Sequence, residues 1–330
     1  MTLRTHALRR SPPSRQRRVA VSLASACLLS ACGTKDRVEP RETTVVGSGR
    51  DSSVQAAAPV VAAVSRWDAA DGSAIYIPSD GGMAQVILPP VLDDSVPRPN
   101  AAALPAGAAP AQVDLFAPLG RVGSVSLGEY SASAQPDVGV GCDAWPVIPI
   151  RDAAGIAPQS WRLALQAGVA EAVRADSIGA LSRSDSAQLV IQINRAAALL
   201  PLDSLGVLRR VPFGVTKAYR LQFFGDVEAV IAVVERRLNV EASPRVERTV
   251  LVLERPAKVK AFSAVWRDTQ YAAEDDLIAV DLMAVVRLRG ERRPTVFLGL
   301  DFGDGSRVQM LQRTDGGIWS LRWASAYTGC

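Results

Sequence analysis

The chain has 330 residues, 48% of them hydrophobic, and it contains 37 basic and 33 acidic residues. Six of the basic residues are arginines within the first 18 positions, where no acidic residue occurs. Without those six, 31 basic residues face 33 acidic ones, so the remaining chain has a net charge of about −2. The positive charge of the whole chain therefore comes from its first 18 residues. It does not predict the basic face that nucleic-acid binding requires, and we expect no nucleic-acid partner.

The N-terminal 31 residues have the pattern of an export signal. The arginines come first, and residues 19–29 then form a run of apolar and small side chains. This run is much shorter than the roughly 20 residues that span a bilayer, so it predicts a cleaved signal peptide and not a membrane helix. Arg17-Arg18 could also belong to a twin-arginine signal, but the following Val19-Ala20-Val21 fits that pattern poorly.

The signal ends in Leu29-Ser30-Ala31-Cys32-Gly33. This pattern resembles the lipobox of bacterial lipoproteins. The resemblance implies that the Cys32 thiol receives a diacylglyceryl group, that the chain is cut just before Cys32, and that the new amine is acylated. Two or three acyl chains, at about 0.8 kcal/mol per buried methylene, hold a protein firmly to a bilayer. Gly33, in place of an aspartate, favours the outer membrane; an ordinary signal cut elsewhere is the alternative.

The cysteines that remain after this assignment predict a disulfide bond. Cys27 leaves with the signal and Cys32 carries lipid, so Cys142 and Cys330 are left. In an exported chain two remaining thiols most simply pair with one another. On the chain-entropy model, closing so long a loop is worth about 5 kcal/mol. A free C-terminal thiol and an intermolecular bridge are the alternatives.

Three segments are predicted before the main body. Residues 32–63 are rich in Thr, Ser, Gly and Ala and predict a flexible tether. Residues 64–90 contain two β-prone runs around Gly81-Gly82, which predicts a hairpin. Residues 91–114 form a linker rich in Pro and Ala. Because a lone hairpin is only marginally stable in water, it is either a small ornament or a strand pair donated across the linker.

The main body is predicted over residues 115–330, beginning with a strand at 122–130. Residues 139–144 match G-x-G-x-x-A, but Trp145-Pro146 follows where a helix should open, so we expect a disulfide-bearing turn and no dinucleotide site. Residues 161–173 predict a hairpin, with a helix as the competing interpretation.

The best helix signal follows. Ser182 or Ser184 can cap its start, apolar residues recur at helical spacing from Leu189 to Leu200, and Pro201 ends it. This predicts one amphipathic helix of about 15 residues that packs on a sheet.

From residue 215 onward the pattern predicts strand after strand, with short Gly- and Asp-containing turns between several of them. The predicted runs are 215–224, 227–240, 249–254, 259–270, 277–288, 295–302, 307–312 and 318–325. Short connections favour antiparallel pairing. We predict a mainly β fold, an antiparallel meander forming a barrel or a sandwich with one packed amphipathic helix. Trp319 and Trp323, four apart, should point to the same side and fill the core.

Several catalytic chemistries are excluded for the mature chain. Its signal carries the single histidine, His6, so Ser-His-Asp and Cys-His catalysis and His-containing zinc sites are excluded. No S-x-x-K, G-x-S-x-G or G-x-x-x-x-G-K pattern occurs. We predict no catalytic residue, no cofactor and no metal site.

Other charged residues have a simpler structural interpretation. A carboxylate pair for glycan hydrolysis could be drawn from five residues, each expected on a polar strand face: Glu235, Glu241, Asp268, Asp281 and Asp301. Residues 301–306 predict a plain hairpin turn, not a kinase or calcium motif. The arginine pairs at 209–210, 236–237 and 292–293 predict solvated faces.

The sequence favours an envelope lipoprotein of the outer membrane that binds or assembles without catalysing a reaction. Its expected partners are the lipid bilayer, through acylated Cys32, and an envelope protein, an envelope polymer or a small apolar ligand. The alternative is a carboxylate-based, glycan-directed hydrolase of the envelope.

Overall fold

The computed structural model describes residues 75–87, 112–129, 145–200, 206–208, 210–223, 227–238, 244–273, 276–314 and 316–329. Chain contacts divide the protein into two units, Met1–Ala58 and Pro59–Cys330, and all described residues belong to the second. The predicted signal, Cys32 and the tether therefore lie outside the described residues. Within them, no helix is long and apolar enough to cross a membrane.

The first six strands close into an antiparallel barrel, in the order β1-β2-β5-β4-β3-β6. The strands are β1 (Ile75–Ser79), β2 (Met83–Ile87), β3 (Gln112–Ala117), β4 (Gly120–Leu127), β5 (Val147–Arg151) and β6 (Leu163–Gln166). The predicted hairpin is β1 and β2, whose turn contains Gly81 and Gly82 at φ values of 66° and 76°. Since β1 also pairs with β6 and β2 with β5, the hairpin is a strand pair donated to the main body.

The chain leaves the barrel through two short strands, β7 (Ala170–Ala172) and β8 (Ala175–Ser177). The predicted hairpin over residues 161–173 is wrong, because β6 and β7 are strands that do not pair with each other. β6 pairs with β1 and β3, whereas β7 pairs with a later strand, Ala279–Leu288. Gly168, at φ 73°, lies between them, and its N–H donates to Asp114 in β3 over 2.8 Å. The turn is thus fixed to the barrel while the chain continues into another sheet.

The predicted amphipathic helix is α1 (Arg183–Ala198). Ser182 is its N-cap, and its Oγ accepts a hydrogen bond from the backbone N–H of Asp185 over 3.1 Å. Its buried residues are Leu189, Ile193, Ala196 and Ala197. They pack on one face of a sheet formed by the following strands, together with Val230, Leu251 and Leu253.

The eight strands predicted after residue 215 are all present, with ends shifted by at most four residues. They are β9 (Gly214–Phe223), β10 (Val227–Leu238), β11 (Arg245–Pro256), β12 (Ser263–Ala273), β13 (Ala279–Leu288), β14 (Pro294–Asp301), β15 (Gly305–Arg313) and β16 (Trp319–Ala324). A last short strand, β17 (Thr328–Gly329), pairs with β15.

These strands form two antiparallel sheets. The five-stranded sheet has the order β12-β11-β10-β9-β8, and the six-stranded sheet has the order β16-β15-β14-β13-β7 with β17 beside β15. The predicted fold class is confirmed: the described chain is mainly β, antiparallel, with a six-stranded barrel and one packed α-helix.

The six-stranded sheet is covered on both faces, as its alternating side chains show. Val285 and Val296 pack toward the five-stranded sheet, in one core with Ile231. Their neighbours Val286 and Phe297 pack toward the barrel. The described residues therefore stack as barrel, six-stranded sheet, five-stranded sheet and helix, and long apolar runs in β13 and β14 are what a sheet buried on both faces requires.

Trp319 and Trp323 are buried in the core, as predicted, with 3% of each exposed. However, they point to opposite faces of β16. Trp319 lies in the core between the two sheets, whereas Trp323 lies between the six-stranded sheet and the barrel. The prediction of a shared face was wrong because the register shifts: Met310 pairs with Trp323 and Leu311 with Leu321, so Arg322 is an extra residue. A β-bulge of this kind exchanges the faces of the residues beyond it.

Candidate functional site

The barrel is filled by its own side chains. Its interior core includes Tyr76, Leu115, Val125 and Trp161. A cavity at its mouth, between Leu115, Val125 and Trp161 among others, has a volume of about 60 Å³. Sites for small molecules usually measure about 300 to 1,000 Å³. Among the described residues, the cavity at the barrel mouth is therefore smaller than a usual site for a small molecule.

The described acidic residues that were considered for glycan hydrolysis lie on four different strands. Glu235 accepts a hydrogen bond from Arg248 over 2.7 Å, and Asp281 forms an ion pair with Lys217. Asp301 accepts a hydrogen bond from the Gly303 N–H over 2.8 Å, within the predicted β14–β15 turn. Glu241 lies outside the described residues. Glu235, Asp281 and Asp301 thus each have a local structural partner.

Asp268 differs from these carboxylates because its side chain is half-buried. It pairs with Val250 across β11 and β12, so it faces the core between the two sheets. Burial raises the pKa of the Asp268 carboxyl above its ordinary value, although a hydrogen bond from the Thr269 N–H opposes this. A raised pKa is the property that a carboxylic acid needs to donate a proton near neutral pH.

The described residues contain no group of three or more histidine, cysteine, aspartate or glutamate side chains that could hold a metal ion. The buried glutamates instead bind arginines. The carboxylate of Glu254 in β11 accepts hydrogen bonds from Nε and Nη2 of Arg313, at 2.6 and 2.9 Å, and from the Nε1–H of Trp319 at 2.7 Å. The hydrogen bond to Glu254 raises the pKa of Arg313, in spite of burial. This cluster joins the two sheets.

The arginine pairs have different environments. Arg236 was expected on a solvated face, but it is buried and forms an ion pair with Glu247, and its Nη1 donates to the Leu208 carbonyl over 2.9 Å. That prediction is wrong for Arg236, because a buried carboxylate compensates its charge. Arg209 lies outside the described residues. Arg292 is exposed, as expected.

A recess of about 480 Å³ lies beside the turn between β13 and β14. Among the described residues it is lined by Arg287, Glu291, Arg292 and Arg293. We call it the arginine recess. Arg287 is the next-to-last residue of β13, and the other three belong to the turn. The turn folds because Gly290 adopts a φ of 83° and the Glu291 N–H donates to the Leu288 carbonyl over 2.9 Å.

The arginine recess is held in place by β7 and the β6–β7 connection. The Arg289 N–H donates to the Val169 carbonyl over 2.7 Å, and Arg287 Nη1 lies 3.2 Å from Glu171 Oε2. Asp114 fixes the same connection from the barrel side through the Gly168 N–H. Hydrogen bonds from Gly168, Ser124 and Arg121 lower the pKa of Asp114, although burial opposes them. The recess is thus attached to both the barrel and the six-stranded sheet.

The sequence indicates only part of the arginine recess. Residues 292–293 were recognised as a pair, but Arg287 was not connected with them. The signal that could have found it was the hairpin chemistry of Gly290-Glu291, which returns the chain beside the end of its own strand. Of the predicted site residues, Cys32, Cys142 and Cys330 lie outside the described residues.

The neighbours of Cys142 and Cys330 along the chain approach each other. The backbone N–H of Trp145 lies 3.3 Å from Thr328 Oγ1. Trp145 is three residues after Cys142, and Thr328 is two residues before Cys330.

Comparison with protein-family models, curated proteins and solved structures finds no match for this chain. The functional proposal therefore depends on the described geometry and on the sequence.

Proposed function

We propose that the protein is a lipid-anchored module of the outer membrane that binds an anionic envelope glycan at its surface, without catalysing a reaction. The observation that carries this proposal is the arginine recess. Three arginines and one glutamate line it, and Glu171 contacts Arg287 from β7. Guanidinium groups stay protonated and bind anionic oxygens with paired hydrogen bonds.

Two further observations support a surface interaction. The cavity at the barrel mouth, about 60 Å³, is too small for an enclosed ligand. The lipobox-like sequence around Cys32 supports an anchor that holds the domain beside envelope polymers, and the tether of residues 32–63 would give it reach.

Binding can be tested by co-sedimentation of the detergent-solubilised full chain with lipopolysaccharide and with peptidoglycan at low salt. We expect the chain to sediment with an envelope glycan, and we expect the double variant R287Q/R292Q to bind about tenfold more weakly. The control variant R245Q/R267Q removes two exposed arginines from β11 and β12 and should bind as the parent chain does. If the parent chain sediments with neither glycan, the proposal is wrong.

Carboxylate-based glycan hydrolysis is the second candidate, and the raised pKa of Asp268 is the observation in its favour. The same incubations separate the two functions if soluble sugar fragments are measured. A binding module releases none. Fragments that the parent chain releases and the Asp268→Asn variant does not would establish hydrolysis instead.

A further inference from the structure

Among the described residues, three positive side chains and one negative side chain line the arginine recess. Glu291 lines the recess, and Glu171 contacts Arg287 from β7. That ion pair is exposed, with 46% of the Arg287 side chain and 79% of the Glu171 side chain accessible. Exposed ion pairs contribute little to stability because water and salt screen them, so an anion can displace Glu171 readily.

The number of donors in the recess suits one kind of anion better than another. Each guanidinium offers five N–H donors in a planar fork, and three guanidinium groups line the same space. A carboxylate has one negative charge and two oxygens. A phosphomonoester carries a charge of about −1.5 to −2 at pH 7 and three acceptor oxygens. Its three oxygens can engage several guanidinium groups at once, which the two oxygens of a carboxylate do less well.

The volume of the recess adds a second constraint. At about 480 Å³ it falls within the usual range of small-molecule sites. The recess therefore has room for a sugar or similar body attached to the anionic group.

From these features we infer that the arginine recess binds a phosphomonoester group carried on a sugar. This inference rests on the proposed function, and it specifies the part of the anionic glycan that is recognised. Arg287 and Arg292 contribute from opposite ends of the β13–β14 turn, so the site depends on the fold of that turn.

The inference can be tested by titrating the detergent-solubilised full chain with glucose 1-phosphate and with glucuronate in calorimetry at low ionic strength. These probes place a phosphomonoester or a carboxylate on the same kind of sugar. We expect glucose 1-phosphate to bind about tenfold or more tightly than glucuronate, and R287Q/R292Q to lose about tenfold or more of that affinity. R245Q/R267Q should leave the affinity unchanged. If the double variant fails to fold, R292Q alone, at an exposed turn position, carries the same expectation.

Three results would overturn the inference. The first is equal affinity for glucuronate and glucose 1-phosphate. The second is an equal loss of affinity in R245Q/R267Q. The third is binding to phosphatidylglycerol vesicles that requires Arg287 and Arg292, without binding of glucose 1-phosphate, which would identify a lipid phosphodiester as the ligand. If glucose 1-phosphate fails to bind but glycan co-sedimentation still depends on Arg287 and Arg292, the phosphomonoester assignment fails and the proposed function remains.

Discussion

Asp114 connects three parts of the chain although its side chain is almost fully buried. Its Oδ1 accepts hydrogen bonds from Arg121 Nε and Nη2 at 3.0 and 2.7 Å and from the Ser124 hydroxyl, while Oδ2 accepts the Gly168 N–H. These bonds favour the ionised carboxylate over the neutral acid, which is why they lower its pKa in spite of burial. The sequence gives no sign of this role, because the donors come from β4 and from the β6–β7 connection, which are distant from each other along the chain.

Replacing Asp114 with Asn should lower the free energy of unfolding at pH 7 by roughly 2 kcal/mol, since hydrogen bonds to a charged group are lost. Because the folded-state pKa is lowered, the stabilisation is present above the unfolded pKa of about 3.9 and disappears as the pH falls through the folded value. Denaturant titrations between pH 7 and pH 3 should show the parent and variant converging. The control Asp176→Asn breaks an exposed pair with Arg174 and should cost about 1 kcal/mol or less. A difference that persists undiminished at low pH would contradict this account.

The pKa of Asp268 is shifted in the opposite direction from that of Asp114. Its pKa is raised by burial, so the folded state binds a proton more readily than the unfolded state. Its contribution therefore becomes less favourable as the pH rises from the unfolded pKa through the folded value. The uncharged variant Asp268→Asn should be more stable than the parent at pH 7, and the two should converge below about pH 4. Melting temperatures across this pH range measure the effect; a variant that is less stable at pH 7 would show that the Asp268 carboxylate has a partner that it needs.

At the scale of elements, the helix illustrates what local sequence can predict. Its cap, its period and its end are encoded within about 20 consecutive residues, and α1 follows them closely. The eight strands after residue 215 were predicted for the same reason, since alternation and turn chemistry are also local. The burial of one face of the helix is the interaction that joins it to the five-stranded sheet.

Ile193 and Ile191 give a matched test of that helix packing. Ile193 is fully buried against the sheet, whereas Ile191, in the same helix, is 46% exposed. Ile193→Ala should lower the free energy of unfolding by about 2 to 5 kcal/mol through lost burial and a cavity. Ile191→Ala should change it by about 0.5 kcal/mol or less. Chemical denaturation of both variants measures the difference, and equal effects would mean that α1 does not pack on the sheet through Ile193.

The elements that sequence reasoning misassigned depend on distant partners. The pairing of β7 with β13 joins residues more than 100 positions apart, so the pattern over residues 161–173 could show extended chain but not its partner. The bulge that turns Trp323 away from Trp319 comes from the register of β15 and β16, which a spacing of four residues does not reveal. The arginine recess escaped prediction for a related reason, since Arg287 meets Arg292 and Arg293 only when the hairpin forms.

At the scale of the whole molecule, the described residues form a stack with the barrel at one end and the helix at the other. The predicted disulfide would join two parts of this stack. The backbone N–H of Trp145, three residues after Cys142, donates to Thr328, two residues before Cys330. This contact is consistent with the proposed Cys142–Cys330 disulfide, although both cysteines lie outside the described residues.

The proposed lipid anchor can be tested by measuring the intact mass of the protein extracted from the outer membrane. We expect a chain that begins at Cys32, carries a diacylglyceryl group and an N-linked acyl chain, and has Cys142 and Cys330 joined, with no thiol open to alkylation. A mature chain that begins at another residue, or that begins at an unmodified Cys32, would contradict the anchor and the location that follows from it.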